Sequence, residues 1–197
     1  MQPAKLLISR EEYLASGIHI GMKQRTKQMQ EFIYKIRPDG LAVLNLKMID
    51  DKIRVAAKFL SRQQKILIVT RKTIASDIVK KFAEVVGAEV VTGRFMPGML
   101  TNPQYKKFYE ADVVFVVDPL TDYQAMKEAV SARIPLIAIC DTQDETRDID
   151  LIIPSNNKGK KSLATLFWLL SREILKERGK IKSDADFKYK IEDFGQE

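Results

Sequence analysis

Cysteine and histidine are nearly absent from this sequence: Cys140 is the only thiol and His19 the only imidazole. One thiol excludes a disulfide framework, and one thiol with one imidazole cannot supply the four ligands of a structural zinc site. Long apolar stretches are missing as well. The longest reach about half a membrane span, so no bilayer-crossing helix is expected. The opening residues, Met1-Gln2-Pro3-Ala4-Lys5, show no apolar leader core, and a reducing, intracellular setting follows as the expectation. The dinucleotide fingerprint GxGxxG does not occur. The GxxxxG spacing of a phosphate loop occurs in Gly93-Arg94-Phe95-Met96-Pro97-Gly98, but Met99 and Leu100 follow where Lys and Ser or Thr are needed. Without that lysine the γ-phosphate lacks a counterion, and without the hydroxyl Mg²⁺ loses a ligand. Nucleotide hydrolysis and dinucleotide-dependent redox chemistry are therefore poorly supported.

What is present describes a folded domain. Apolar residues make up 45% of the 197 residues and charged residues 30%, a balance that can build one sizeable core. The formal charge is +7, an excess that permits contact with a polyanion without requiring it. Strand-like runs fall at 41–46, 66–70, 88–92, 113–118 and 136–140, with a short sixth at 151–153. Val113-Val114-Phe115-Val116-Val117 is apolar without alternation, as expected of a strand buried on both faces. Helical periodicity lies between the runs, over 48–63, 73–86, 123–133 and 159–178. Ser9-x-x-Glu12 marks the start of a first helix ending near Gly17, and Thr121-x-x-Gln124 reads as a second capping box. Alternating strands and helices predict an α/β fold, a mainly parallel sheet flanked by helices on both faces. One domain is expected over residues 1–179. Residues 180–197, of mixed charge and little periodicity, read as a tail that is mobile or draped over a partner.

Carboxylates collect at the carboxyl ends of strands: Asp118 and Asp141, with Asp122 and Asp144 just beyond. They could hold Mg²⁺ or act as an acid–base pair. Asp is equally favoured at turns and helix caps, and no lysine, histidine or glycine loop nearby in sequence completes a catalytic set, so capping is the preferred reading. Cys140, in an apolar strand, reads as a buried inert thiol, and His19, between two isoleucines, as a packed ring.

The richest chemistry lies in Ser155-Asn156-Asn157-Lys158-Gly159-Lys160-Lys161-Ser162, which leads into the last long helix. Lysines at a helix N-terminus oppose its dipole by roughly 0.3–1 kcal/mol each, and an external phosphate resolves the conflict. Asn156 and Asn157 add amides suited to a sugar–phosphate backbone. Lys23, Arg25 and Lys27 form a second basic cluster. Arg37 precedes the turn Pro38-Asp39-Gly40, and Arg94 sits in the 93–98 loop, after which Asn102-Pro103 reads as a helix start. Aromatic residues are not interleaved with these cations, which points to the backbone and shape of folded RNA rather than to stacked single strands.

Five segments resemble one family. Gly17-Ile18-His19-Ile20-Gly21, Arg37-Pro38-Asp39-Gly40, Gly93-Arg94-Phe95-Met96-Pro97-Gly98-Met99-Leu100-Thr101-Asn102-Pro103, Ala138-Ile139-Cys140-Asp141-Thr142 and Ile153-Pro154-Ser155-Asn156-Asn157-Lys158-Gly159 occur in the order of the small-ribosomal-subunit protein two family. The similarity is to the archaeal and eukaryotic branch, which includes the laminin-receptor-like ribosomal protein. The short 102–110 connection lacks the insertion usual in bacteria, and the chain length suits an archaeal source. Met96, Met99, Leu120 and Met22-Lys23 depart from the usual pattern, Leu120 where an arginine is common. The resemblance implies a doubly wound, five-stranded α/β domain. It also implies a structural, non-catalytic role in the cytoplasmic small subunit, with small-subunit rRNA and neighbouring ribosomal proteins as partners. No cofactor, membrane or small-molecule substrate is implied. The residues expected at RNA are Lys23, Arg25, Lys27, Arg37, Arg94, Asn156, Asn157, Lys158, Lys160 and Lys161. The other readings are an Mg²⁺-dependent enzyme using the strand-end aspartates and an extraribosomal protein-binding module.

Overall fold

Local signals set the first elements. In the computed structural model, which describes residues 6–195, Ser9 and Glu12 form the expected reciprocal cap of helix α1 (Arg10–Ser16), and Gly17 closes it at φ 70°. The opening pentapeptide read for a leader, and residues 196–197 of the expected tail, lie outside the described residues. Strands β1 (Ile33–Ile36) and β2 (Ala42–Leu44) form an antiparallel hairpin across the Arg37–Gly40 turn, where Gly40 has φ 85°. The run at 41–46 thus contributes three residues to a hairpin and none to the main sheet. Its partner β1 was not among the expected strands. Asn45 then caps α2 (Leu46–Ser61), its Oδ1 accepting the Lys47 amide at 3.1 Å.

The main sheet contains β3 (Ile66–Thr70), β4 (Glu89–Thr92), β5 (Val113–Val116), β6 (Leu136–Cys140) and β7 (Leu151–Pro154). All are parallel, in the order β4-β3-β5-β6-β7. Strands β3, β5 and β6 are buried along their whole length, which explains their unbroken apolar sequence. Helix α3 (Thr73–Val86) connects β3 to β4, α4 (Tyr123–Ser131) connects β5 to β6, and α5 (Lys160–Glu177) follows β7. Helices α2, α3 and α5 pack together on one face with α5 in the middle. Helix α4 packs on β5 and β6 from the other, as right-handed crossovers require once the chain reverses direction. This is the doubly wound arrangement.

Phe82, Phe115 and Phe167 meet where α3, β5 and α5 converge, with ring centroids 5.1–6.4 Å apart. Each such ring pair adds about 0.5–1.5 kcal/mol beyond the area buried. Just past α5, the Arg178 guanidinium donates to the carbonyls of Ser61, Gln63 and Val86. It thereby satisfies C-terminal carbonyls of α2 and α3 together.

Residues 180–195, read as a mobile or partner-bound tail, pack instead on their own domain. The chain turns at Gly179 (φ 69°) and runs back along α5. Trp168 donates its indole N–H to the Tyr189 carbonyl at 2.8 Å, Phe187 stacks edge-on against Trp168, and Phe194 is wholly buried against α3 and α5. Three aromatic residues spaced among charges do this, a pattern that helical or strand periodicity does not detect. A Cβ on Gly195 would lie 3.6 Å from the Lys160 side chain, so the segment ends beside the start of α5. No helix among the described residues is long and apolar enough to cross a membrane.

Candidate nucleic-acid interface

Open α/β sheets bind ligands at the carboxyl edge, where the strand order reverses. Here the reversal lies between β3 and β5, and the chain's own groups fill it. Lys72 follows β3 and Asp118 follows β5. The Lys72 Nζ lies 2.7 Å from Asp118 Oδ2, 2.9 Å from the Asn157 carbonyl and 3.1 Å from Asn157 Oδ1. All three ammonium protons therefore have internal acceptors, and none remains for a substrate. Sequence reading missed this lysine because its partner Asn157 is 85 residues away.

The strand-end aspartates serve turns. Asp118 Oδ1 accepts the Leu120 amide, Asp122 Oδ1 the Arg71 amide, and Asp141 Oδ1 the Thr142 amide. Asp144 Oδ2 accepts both the Asp141 amide and the Asn157 side-chain amide. One oxygen each of Asp122, Asp141 and Asp144 is buried without a hydrogen-bond partner. Burial raises the pKa of all three, with Asp122 pushed up to about 7 and Asp144 to about 6; the Asp118 charge adds to both. Four aspartates crowd one lysine, and protons supply part of the missing positive charge near neutrality. Among the described residues, no group of three His, Cys, Asp or Glu side chains is arranged to hold a metal ion. Cys140 is buried, and burial raises its thiol pKa well above the usual value. His19 is half-buried with Nδ1 unpartnered, and burial lowers its pKa.

The α5 entrance divides into anchors and displayed cations. Asn157, expected on the RNA-facing surface, is 0% exposed, with its amide spent on Lys72, Asp144 and the Ile139 carbonyl. Its expected contact with RNA through the side chain gives way to a positioning role. Asn156 is also largely committed: its Oδ1 accepts the Lys158 and Gly159 amides, and its Nδ2 donates to the Gly17 carbonyl. These bonds present Lys158, Lys160 and Lys161 to solvent, with no carboxylate among the described residues at ion-pairing distance. Gly159 occupies the N-cap and offers no side-chain acceptor, which leaves the first amides of α5 without that cap.

The segment after α1 joins this entrance to the hairpin. The Ile18 carbonyl accepts the Asn156 amide, and the Gly21 amide donates to the Ala42 carbonyl. A Cβ on Gly21 would meet Thr142 Cγ2 at 2.4 Å, so the close approach requires glycine. Thr142 Oγ1 receives the Met22 amide and donates to the Gln24 carbonyl, and Thr26 Oγ1 donates to the Asp144 carbonyl. Tethered residues thus alternate with Lys23, Arg25 and Lys27, which are exposed. The Lys23 stem passes Gly40, which brings this cluster beside the Arg37 turn, where Arg37 faces Asp39 at 3.6 Å.

Arg94 is exposed on the 93–103 loop, at the outer strand β4. Phe95, Met99 and Leu100 anchor that loop in the core. The carboxylate of buried Glu128, on α4, accepts the Gly98 and Leu100 amides and the Gln124 side chain. The loop's amides therefore wrap an anion belonging to the chain itself. Two expectations fail locally. No helix starts at Asn102, whose Oδ1 accepts the Gln104 amide in a turn. Gln124 binds Glu128 instead of completing a capping box, and Asp122 stands at the N-cap of α4 with no side-chain cap bond.

The chain matches the sequence model of "Ribosomal protein S2" at residues 13–111 and 105–177. It is 53% identical over 192 residues to the small ribosomal subunit protein uS2 of Thermoplasma acidophilum, covering 96% of each chain. The corresponding protein of Thermoplasma volcanium is 51% identical at the same coverage, and that of Picrophilus torridus is 49% identical over 196 residues, 98% of each chain. With a crevice closed by its own side chains and a rim of exposed cations, a chain this similar to these proteins along nearly its whole length belongs to the ribosomal protein S2 family.

Proposed function

We propose that this protein is a structural constituent of the small ribosomal subunit in the cytoplasm, where it joins rRNA to neighbouring ribosomal proteins. The observation that carries the RNA contact is the division of charge at the carboxyl edge of the sheet. The interior lysine is used up by internal acceptors, whereas Lys158, Lys160 and Lys161 on the rim are exposed, with no carboxylate among the described residues at ion-pairing distance. Lys158, Lys160 and Lys161 stand around uncapped amides of α5, so a phosphate there meets ammonium groups and helix N–H groups together. Lys23, Arg25, Lys27 and Arg37 extend the positive rim toward the hairpin, and Arg94 marks its far end. We assign no reaction to the chain: Lys72 is saturated, and the aspartates beside it cap turns.

Sedimentation of cell extract through a sucrose gradient tests the assignment. The protein is expected in the small-subunit peak and to stay there through a high-salt wash. A pool confined to the top of the gradient would overturn it.

A further inference from the structure

Strand β1 lies at the edge of its sheet. Residue Ile20 bridges to Val43 on one side of β2 and β1 pairs on the other, so the outer side of β1 carries no strand among the described residues. An open edge is a template for another strand, and proteins normally blunt it or cover it. Here the register of β1 against β2 shifts between Ile33 and Lys35, a bulge at Tyr34, yet the edge keeps large apolar side chains in water: Tyr34 is 68% exposed and Ile36 is 53% exposed.

Two grooves flank the strand. One runs between β1 and the 25–30 segment and is lined by Arg25, Lys27 and Lys35 together with Ile33, Tyr34 and Ile36. The other lies between the hairpin and α1. It has an apolar floor that includes Leu14 and Val43, with Arg10, Lys35, Arg37 and Lys47 around it. Neither groove has a single carboxylate in its lining.

We propose that the open edge of β1 docks an extended, acidic segment of a neighbouring protein of the small subunit, which adds to the hairpin as a further strand. This rests on the ribosomal assignment above. The backbone edge beyond the bulge supplies the pairing, Tyr34 and Ile36 take apolar side chains, and the ring of cations selects Asp and Glu beside them. A second copy of this chain does not fit, because self-pairing of β1 would set Lys35 and its basic neighbours against their like. RNA would satisfy the cations, but it offers nothing aliphatic to Ile36, Leu14 or Val43. Along the apolar edge of β1 the partner is therefore protein, beside the cations that the rim offers to rRNA.

Site-specific photo-crosslinking from Tyr34→p-benzoylphenylalanine, in small subunits purified from cells expressing that variant, tests the proposal. The expected product is a crosslink to a protein whose attached peptide is net acidic, with slower amide exchange across Ile33–Ile36 in the subunit than in the free chain. Introducing Lys35→Glu is expected to lower the crosslink yield roughly fivefold while the chain still co-sediments, as reversal of a charge facing an opposite charge across paired strands requires. A crosslink to rRNA, a basic attached peptide, no crosslink, or a yield indifferent to Lys35→Glu overturns the docking mode alone. A chain absent from small subunits overturns the ribosomal assignment and this inference with it.

Discussion

The centre of the sheet's carboxyl edge and its rim lie a few residues apart in sequence and treat charge in opposite ways. In the centre, Lys72 spends its protons on Asp118 and Asn157, Asn157 binds Asp144 in turn, and Asp122 and Asp144 have pKa values raised to about 7 and about 6 by burial. On the rim, Lys158, Lys160 and Lys161 are exposed and unpaired. A place that serves many α/β proteins as a ligand crevice is here a structural plug, and the exposed cations stand at its border. Charge count alone cannot separate these roles. Burial and pairing can.

Substitutions in the two regions should differ accordingly. Lys72→Ala should have the largest effect, a loss of about 3–5 kcal/mol in urea unfolding, because it strands Asp118 beside other buried carboxylates. A loss below about 1 kcal/mol would erase the distinction between centre and rim. Arg178→Ala, which frees three helix-end carbonyls on the opposite side of the molecule, should cost about 2 kcal/mol in the same assay. It calibrates how much a half-buried cation contributes where carbonyls rather than carboxylates are its partners.

Asp122→Asn sharpens the comparison through pH. The folded pKa near 7 lies above the ordinary 3.8, so between those values the native chain holds a proton that the unfolded chain releases. Stability from this group is therefore present at low pH and lost as pH rises toward and through 7. Asp122→Asn should flatten that fall and exceed the parent at pH 8 by on the order of 1–2 kcal/mol, read from urea midpoints between pH 5 and 8. The triple change of Lys158, Lys160 and Lys161 to Ala should leave unfolding within about 0.5 kcal/mol of the parent. Its effect should appear instead in rRNA binding, as weaker affinity and a salt-dependence slope reduced by about 2–3.

Much of the fold was legible because its signals are local. Strand β6 falls where its apolar run ends, at Leu136–Cys140, and α3 ends at Gly87, which takes up φ 79°. The Ser9–Glu12 cap is formed as its spacing predicts. What was not legible depends on distant contacts. The short β1, four residues with a single lysine among Ile33, Tyr34 and Ile36, shows no alternation and gains its identity only from β2. The final segment carries too few aromatic residues for periodicity to show, yet Phe194 is fully buried. At the site, the three lysines before α5 were readable from their conflict with the helix dipole. Asn157 was placed on the surface because its neighbours are charged, and only the approach of Lys72 and Asp144 explains its burial. Glu128 gave no signal at all: its partners are the Gly98 and Leu100 amides, 30 and 28 residues away, and a glutamate in a helix otherwise suggests a solvated face.

Helix α5 lies between α2 and α3 and brings Phe167 against Phe82 and Phe115, yet it is the last long element in chain order. During synthesis from the N-terminus, the sheet and its earlier helices emerge with that face open, and no local rearrangement can cover it before residue 177 has left the peptide tunnel. The nascent chain therefore passes through a stage in which an apolar surface of core quality waits in water, the condition under which chains associate wrongly or are held by chaperones. Pausing translation ahead of α5 should prolong that exposure, and pausing after it should not.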